Sequence, residues 1–390
     1  MTTQNNSEKK FHYSNVILVS LTHMLHDIYS SFLAPLLPLL IEKLSISYSL
    51  AGLLSVFQRL PSLLNPFIGL LADKVNVKYF VIIAPAITTL AMSLIGIAPS
   101  YTFLAVLLLV SGISSTIFHV PSPVMIKEFS ANKVGRGMSF YMLGGELART
   151  LGPISILGAV SIWGLEGTYR LIPFGFLASL LLFLRLRNVK VSSNHKHLES
   201  KDSIKMSIKH ALPTLTICFG VMAFRAFMKS SLTAFLPIYI TSKGNSLWLG
   251  GISLSILQLA GAVGTFFMGS ISDKIGRKNT LYIATISAPV FMFIFLVSEG
   301  VLSLILLILI GFAIFATGPV LLAFVQDIES ERPAFINGLF MAMNFLISAF
   351  SITAIGIGGD IIGLETTYLL AALLALGSIP FVFLIKKKVK

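Results

Sequence analysis

Apolar stretches of about 20 residues succeed one another from Val16 to Ile385, each long enough to cross ~30 Å of hydrocarbon as a helix. Lipid offers a backbone N–H no partner, so a spanning segment must close its own hydrogen bonds as a helix or join a closed barrel. The two-residue alternation of barrel strands is absent. Twelve helical spans are expected, at 16–40, 47–71, 79–98, 102–122, 138–162, 171–184, 212–240, 249–271, 279–298, 301–325, 335–357 and 367–385. The expected fold is therefore an all-α membrane protein. A chain that is 55% hydrophobic and only 12% charged excludes an ordinary soluble domain.

The spans repeat. Gly69, Asp73, Lys74 and Lys78 recur 200 positions on as Gly269, Asp273, Lys274 and Lys278, and the same offset pairs Ser55 with Ser255 and Gln58 with Gln258. Such duplication marks a membrane chain built of two similar halves. Residues 1–15 read as a polar tail, 16–184 as a six-helix half, 185–211 as a polar linker, and 212–390 as a second six-helix half with a short basic tail. An even number of spans per half makes the repeats parallel, related by an axis along the membrane normal.

The net charge of +13 reports topology. With the N-terminus inside, the cytoplasmic loops and tails hold 22 of the 29 Lys and Arg, and the external loops hold three: Lys43, Arg170 and Lys243. This positive-inside bias places both termini in the cytoplasm of a multi-pass inner-membrane protein and favours contact with anionic lipid. No basic stripe with interleaved aromatics lies outside the spans, so nucleic acid is not an expected partner. The lone Cys218 excludes a disulfide framework, and the first span reads as an uncleaved anchor.

Six charged residues fall well inside spans: Asp27, Arg59, Glu146, Arg149, Arg225 and Lys229. Each costs ~2.5–3.5 kcal/mol at mid-bilayer on insertion scales and so marks a functional site or a pair. His23 and Asp27 are one turn apart and share a helix face, with His26 adjacent, a pattern suited to carrying a proton or to locking Asp27 onto Arg59. Glu146 and Arg149 stand three residues apart, flanked by Gly144–Gly145 and by Gly152–Pro153, where a helix can bend or approach a neighbour closely. Arg225 and Lys229 share a face with no acidic residue in the second half's spans to offset them, which points to an anionic ligand, although Lys229 can also snorkel. His119 precedes Pro121, which interrupts the fourth span, and a broken helix exposes carbonyls to a cavity.

The pattern Gly-x-x-x-Asp-Lys-x-Gly-Arg-Lys, complete at 269–278 and altered by Asn76 and Val77 at 69–78, resembles the signature loop of the major facilitator superfamily. Gly152–Pro153 resembles that superfamily's antiporter motif. SLTHMLHDIYSSFLAPLLPLL at 20–40, GISSTIFHVPSP at 112–123, the GG…LGP run at 144–153 and VQDIESERPAFINGLF at 325–340 resemble the fosmidomycin-resistance efflux family. That family's His-x-x-x-Asp is matched by His23 and Asp27. Its Phe-His-Pro appears as Phe118-His119-Val120-Pro121, and its small polar pair is replaced by Glu146 and Arg149. The resemblance implies the twelve-helix major facilitator fold, a phosphonate or similar drug as substrate, and gating by Gly69, Asp73, Lys74, Lys78, Gly269, Asp273, Lys274, Arg277 and Lys278.

No phosphate-binding Gly-x-x-x-x-Gly-Lys-Ser/Thr loop, metal-ligand spacing or catalytic triad is legible, so neither an enzyme nor a cofactor or metal is expected. The leading expectation is a monomeric, proton-coupled antiporter. Asp27, Glu146, His23 and His26 would couple protons, while Arg149, Arg225, Arg59, Lys229 and His119 bind a small anionic or zwitterionic solute in one chamber shared by both halves. Uptake of an organic anion or phosphorylated metabolite is the rival, and a non-transporting receptor or scaffold is the rival of another class.

Overall fold

The computed structural model describes residues 11–65, 68, 78–131, 133–189, 204–328 and 333–385. Among these, every regular element is a helix. In the first half they are α1 (Tyr13–Ser30), α2 (Leu33–Leu44), α3 (Tyr48–Arg59), α4 (Lys78–Ser93), α5 (Tyr101–His119), α6 (Ser122–Phe129), α7 (Val134–Trp163) and α8 (Ile172–Leu186). In the second they are α9 (Ile204–Ala234), α10 (Leu236–Ser242), α11 (Leu247–Ile275), α12 (Arg277–Leu296), α13 (Gly300–Gln326), α14 (Pro333–Ile362), α15 (Leu364–Leu376) and α16 (Ile379–Phe383).

Ten stretches among the described residues are long and apolar enough to cross a membrane. The other two expected spans are 47–71, partly outside the described residues, and 138–162, which lies within α7. That helix runs for 30 residues, but its glycines and charged pair make it less apolar.

The first span of each half breaks at a matching place. α1 yields to α2 two residues before Pro35, and α9 yields to α10 just before Pro237. A proline in the first turn of a helix loses no intrahelical bond, so the chain restarts there at little cost. α5 and α6 are separated in the same way around Pro121. Pro153 behaves differently, since α7 passes through it unbroken. Gly144, Ala148 and Gly152 follow at four-residue spacing and receive α1 instead. A Cβ on Gly152 would lie 1.7 Å from Ser31 Oγ, and one on Gly144 would lie 2.7 Å from the Ser20 carbonyl oxygen. This small-residue ridge lets two helices pack backbone to backbone. The expected bend at Gly152–Pro153 is a close-packing seat.

The halves meet along a seam at one end of the bundle, where α3 packs on α14, α7 on α11, and α2 on α10 and α11. Asp360 of α14 accepts hydrogen bonds from the backbone N–H groups of Tyr48 (2.7 Å) and Ser49 (2.9 Å), closing the N-terminus of α3 across the seam. Trp248 Nε1 donates to Ser161 Oγ at 2.9 Å. Beneath these bonds one core runs continuously through both halves and includes Phe32, Leu36, Leu40, Phe235, Leu254 and Ile352. Large apolar side chains such as Phe266, Ile162 and Val301 are exposed on the outside, as a lipid-facing surface requires.

Candidate functional site

Along each of the four seam helices, the residues next to the seam give way to residues that line a single cavity of about 550 Å³. On α3 the cavity begins at Ser55, on α7 at Pro153, on α11 at Leu254 and on α14 at Ser348. It therefore lies between the halves, on the side of the seam that faces the 269–278 loop. The duplicated Gln58 and Gln258 both reach it, with Ser55 and Asn344. Its cations are Arg59, at the end of α3, and Arg149 of α7, which lie within electrostatic reach of each other.

Glu146 accepts a hydrogen bond from Arg149 Nη2, so one turn of α7 carries an ion pair whose cation faces the cavity. Asp27 does not pair with Arg59. Its carboxylate is ringed by imidazoles: His23 Nε2 at 3.2 Å, His26 Nδ1 at 3.0 Å and His119 Nε2 at 3.1 Å. His119 comes from α5, 96 positions from His23, so only the fold brings it to the α1 pair. Asp27 and His119 line the cavity, whereas His23 and His26 are buried behind them. His26 stacks on Phe118 with centroids 4.6 Å apart, and His23 stacks on Tyr141 at 3.9 Å.

Arg225 and Lys229 depart from expectation. Neither is among the residues that line the cavity and both contact α13, although Lys229 lies within electrostatic reach of Arg59, Arg149 and Glu146. Arg225 Nη1 donates to the Ile314 carbonyl, and the Lys229 ammonium sits 5.2 Å from the Phe315 ring centroid. The Ile314 carbonyl also accepts from the Thr317 hydroxyl at 3.1 Å, so Arg225 adds a second side-chain donor to this turn of α13. Among the described residues the lining cations thus come from the first half, and the second half contributes amides and hydroxyls beside apolar groups.

Three described members of the expected gate make defined bonds. Lys78 Nζ donates to the carbonyls of Arg187 (2.6 Å) and Val189 (2.9 Å). Arg277 Nε pairs with Asp327 at 2.8 Å, and Lys278 Nζ donates to the Phe383 carbonyl at 2.7 Å. Lys274 is exposed in the last turn of α11. Gly69, Asp73 and Lys74 lie outside the described residues; Gly269 and Asp273 fall within α11, the side chain of Asp273 being outside them.

Sequence spacing shows no metal ligand set, but folding brings together three groups of ligand type. His23, Asp27 and His119 each offer a ligand atom, all within 4.8 Å of one another. Sequence reasoning also missed Asp360, whose position near the end of a span was its only signal.

Two pseudo-symmetric helical halves around a polar cavity define a secondary-transporter fold. A family model described as Major Facilitator Superfamily matches residues 19–352, and the chain belongs to that family. It is a transporter and not an enzyme. It is 25% identical over 374 residues to the Fosmidomycin resistance protein of Escherichia coli (strain K12), covering 94% of this chain and 91% of that protein. It is 23% identical to the multi-drug resistance efflux pump PmrA of Streptococcus pneumoniae, over 65% of this chain and 66% of the pump. Among solved structures it resembles a bacterial homologue of the human lysosomal transporter Spinster in an inward-facing, unoccupied conformation, with a TM-score of 0.79 at 17% identity, covering 96% and 97% of the two chains. A D-xylose–proton symporter aligns with a TM-score of 0.78 at 14% identity, over 96% and 98%.

Proposed function

We propose that this transporter exports a small anionic or zwitterionic solute across the inner membrane in exchange for protons. The observation that supports it is a cavity between the halves carrying Arg59 and Arg149, with Glu146 bound directly to the second of these. In the loading state ionised Glu146 holds Arg149 in place, and the solute's anionic group binds the remaining guanidinium N–H groups together with Arg59. A proton taken up by Glu146 from the far side breaks the ion pair, frees Arg149 to leave that position and releases the solute, so solute and proton occupy the carrier in turn. Of the carboxylates expected to couple protons, Glu146 is the one joined to a cavity cation; Asp27, with His23 and His26, is held among imidazoles instead. The charge bias of the loops supports a reading in which the cavity faces the cytoplasm, where an exporter loads. Similarity to a fosmidomycin resistance protein makes a phosphonate the first solute to test.

In proteoliposomes with an imposed proton gradient, the protein should accumulate a phosphonate and move protons when the solute is added. Glu146→Gln should retain solute exchange while losing its dependence on the gradient, and Arg149→Gln should lose both. Solute-driven proton flux that is unchanged in Glu146→Gln would defeat the coupling assignment. Two cavity arginines receive an anion from either side, so import is the second reading; drug sensitivity of a deletion strain favours export, and loss of solute accumulation favours import. Binding without counterflow would mark a receptor.

A further inference from the structure

The cluster around Asp27 has an excess of acceptors. His23 Nδ1 lies 2.8 Å from the Tyr141 carbonyl oxygen, and His119 Nδ1 lies 2.9 Å from that of Ser115. A carbonyl oxygen only accepts, so in each ring Nδ1 carries the hydrogen, and a neutral imidazole then leaves Nε2 as a bare lone pair. Those two Nε2 atoms are 3.2 Å apart. Each also faces an oxygen of Asp27, Oδ2 at 3.2 Å for His23 and Oδ1 at 3.1 Å for His119. With neutral rings and an ionised carboxylate, two ring lone pairs and two carboxylate oxygens point at one another, an arrangement that repels unless a cation sits among them.

The cluster has the dimensions of a metal site. Zinc-type ions hold nitrogen and oxygen ligands at about 2.0–2.1 Å in a tetrahedron, which separates the ligand atoms by roughly 3.3–3.4 Å. The nitrogen–nitrogen separation of 3.2 Å and the two nitrogen–oxygen approaches of 3.1 and 3.2 Å, which end on the two oxygens of one carboxylate, need to open by only a tenth or two. The outer partners are those of a built site as well, because a ligating imidazole ordinarily donates its other N–H to a carbonyl or carboxylate that fixes its tautomer. Both rings do so here through backbone groups, and His23 is further held flat against Tyr141, with ring planes 9° apart. Asp27 and His119 line the cavity, so the fourth coordination position faces it.

We propose that His23, Asp27 and His119 bind one divalent transition-metal ion of the zinc class, with an open coordination position toward the cavity. The site does not depend on the transport reading. Borderline ions such as zinc and cobalt suit two imidazoles and a carboxylate, whereas calcium and magnesium prefer all-oxygen shells of higher coordination number. The bound ion would add positive charge beside Arg149 and present a vacant position to an anionic oxygen.

Cobalt(II) alone is the probe, added to the purified full-length protein without an affinity tag. The background carries His195→Ala and His197→Ala, because the NHKH run at 194–197 is itself a possible ligand for the metal. We expect one equivalent of cobalt to bind with the intense visible absorption of a four-coordinate site, and zinc to displace it. His119→Ala should abolish the band, and Asp27→Asn should weaken binding by about 10–100-fold or more, the loss typical even of outer partners. Tyr141→Phe should bind as the parent does, since its contribution is a backbone carbonyl. His119→Gln repeats the ligand test if the alanine variant is not monodisperse. Absence of the band at millimolar cobalt, as expected if a lone proton holds the cluster together, would overturn the proposal; so would a band unchanged in both His119 variants and Asp27→Asn.

Discussion

Replacing Asp360 with alanine removes the two bonds that tie α14 to the N-terminus of α3 across the seam. Both run from backbone N–H groups to an ionised carboxylate, and a buried bond of that type contributes about 1.5–3 kcal/mol. Asp360 is exposed, so water replaces part of each bond, and the loss of a helix cap costs about 0.5–2 kcal/mol. A net loss of about 1–2 kcal/mol from the closed seam follows. That is roughly a 5–30-fold shift toward the state parted at this end. Spin or fluorescent labels at Tyr169→Cys and Val301→Cys report it, one on each half at the seam end, in a Cys218→Ala background. The parent should show one dominant short distance and Asp360→Ala a second, longer population. Asp360→Asn, which keeps one acceptor oxygen, should fall between them. A distance distribution altered less than twofold in Asp360→Ala would refute the claim that this cap holds the seam.

Other outcomes follow from particular contacts. Gly152→Leu should destabilise the protein by about 1–3 kcal/mol, read by thermal unfolding in detergent, because its side chain must displace Ser31 and the Ile28 carbonyl; Gly152→Ala combined with Ser31→Gly should recover most of the stability that Gly152→Ala alone loses. Lys78→Met should loosen the end of α8 by leaving the Arg187 and Val189 carbonyls without their ammonium, read as faster hydrogen exchange at 183–189 with transport retained. Arg225→Gln should lower stability more than solute affinity, since its partner is a backbone carbonyl of α13 outside the cavity; an affinity loss above tenfold with unchanged unfolding would return Arg225 to the solute site.

The helices and their pairing into halves were legible because lipid leaves so few alternatives. A run of apolar residues has to be a helix, and a repeat of Ser and Gln at 200 positions has to place equivalent side chains equivalently. Gln58 and Gln258 do meet at one cavity. Side-chain destinations were not legible to the same degree. Arg225 and Lys229 share a face whichever way it turns, and their partners, the Ile314 carbonyl and the Phe315 ring, lie on α13, which no local spacing places beside α9. His119 joins Asp27 through packing of α5 on α1, a contact that no local spacing encodes. Gly152–Pro153 reads as a bend until the neighbour that fills the glycine's space is known.

Because the described lining cations, Arg59 and Arg149, stand on one side of the cavity, a negative head group bound to them would be held by a single half throughout the cycle. The opposite wall, with Gln258, Asn344 and Thr233, can slide past that head group without parting an ion pair at each stroke. Recognition of charge and fit to the rest of the molecule are thereby assigned to different helices. Substitutions on the neutral wall can broaden or narrow the range of accepted solutes while the anchor stays in place.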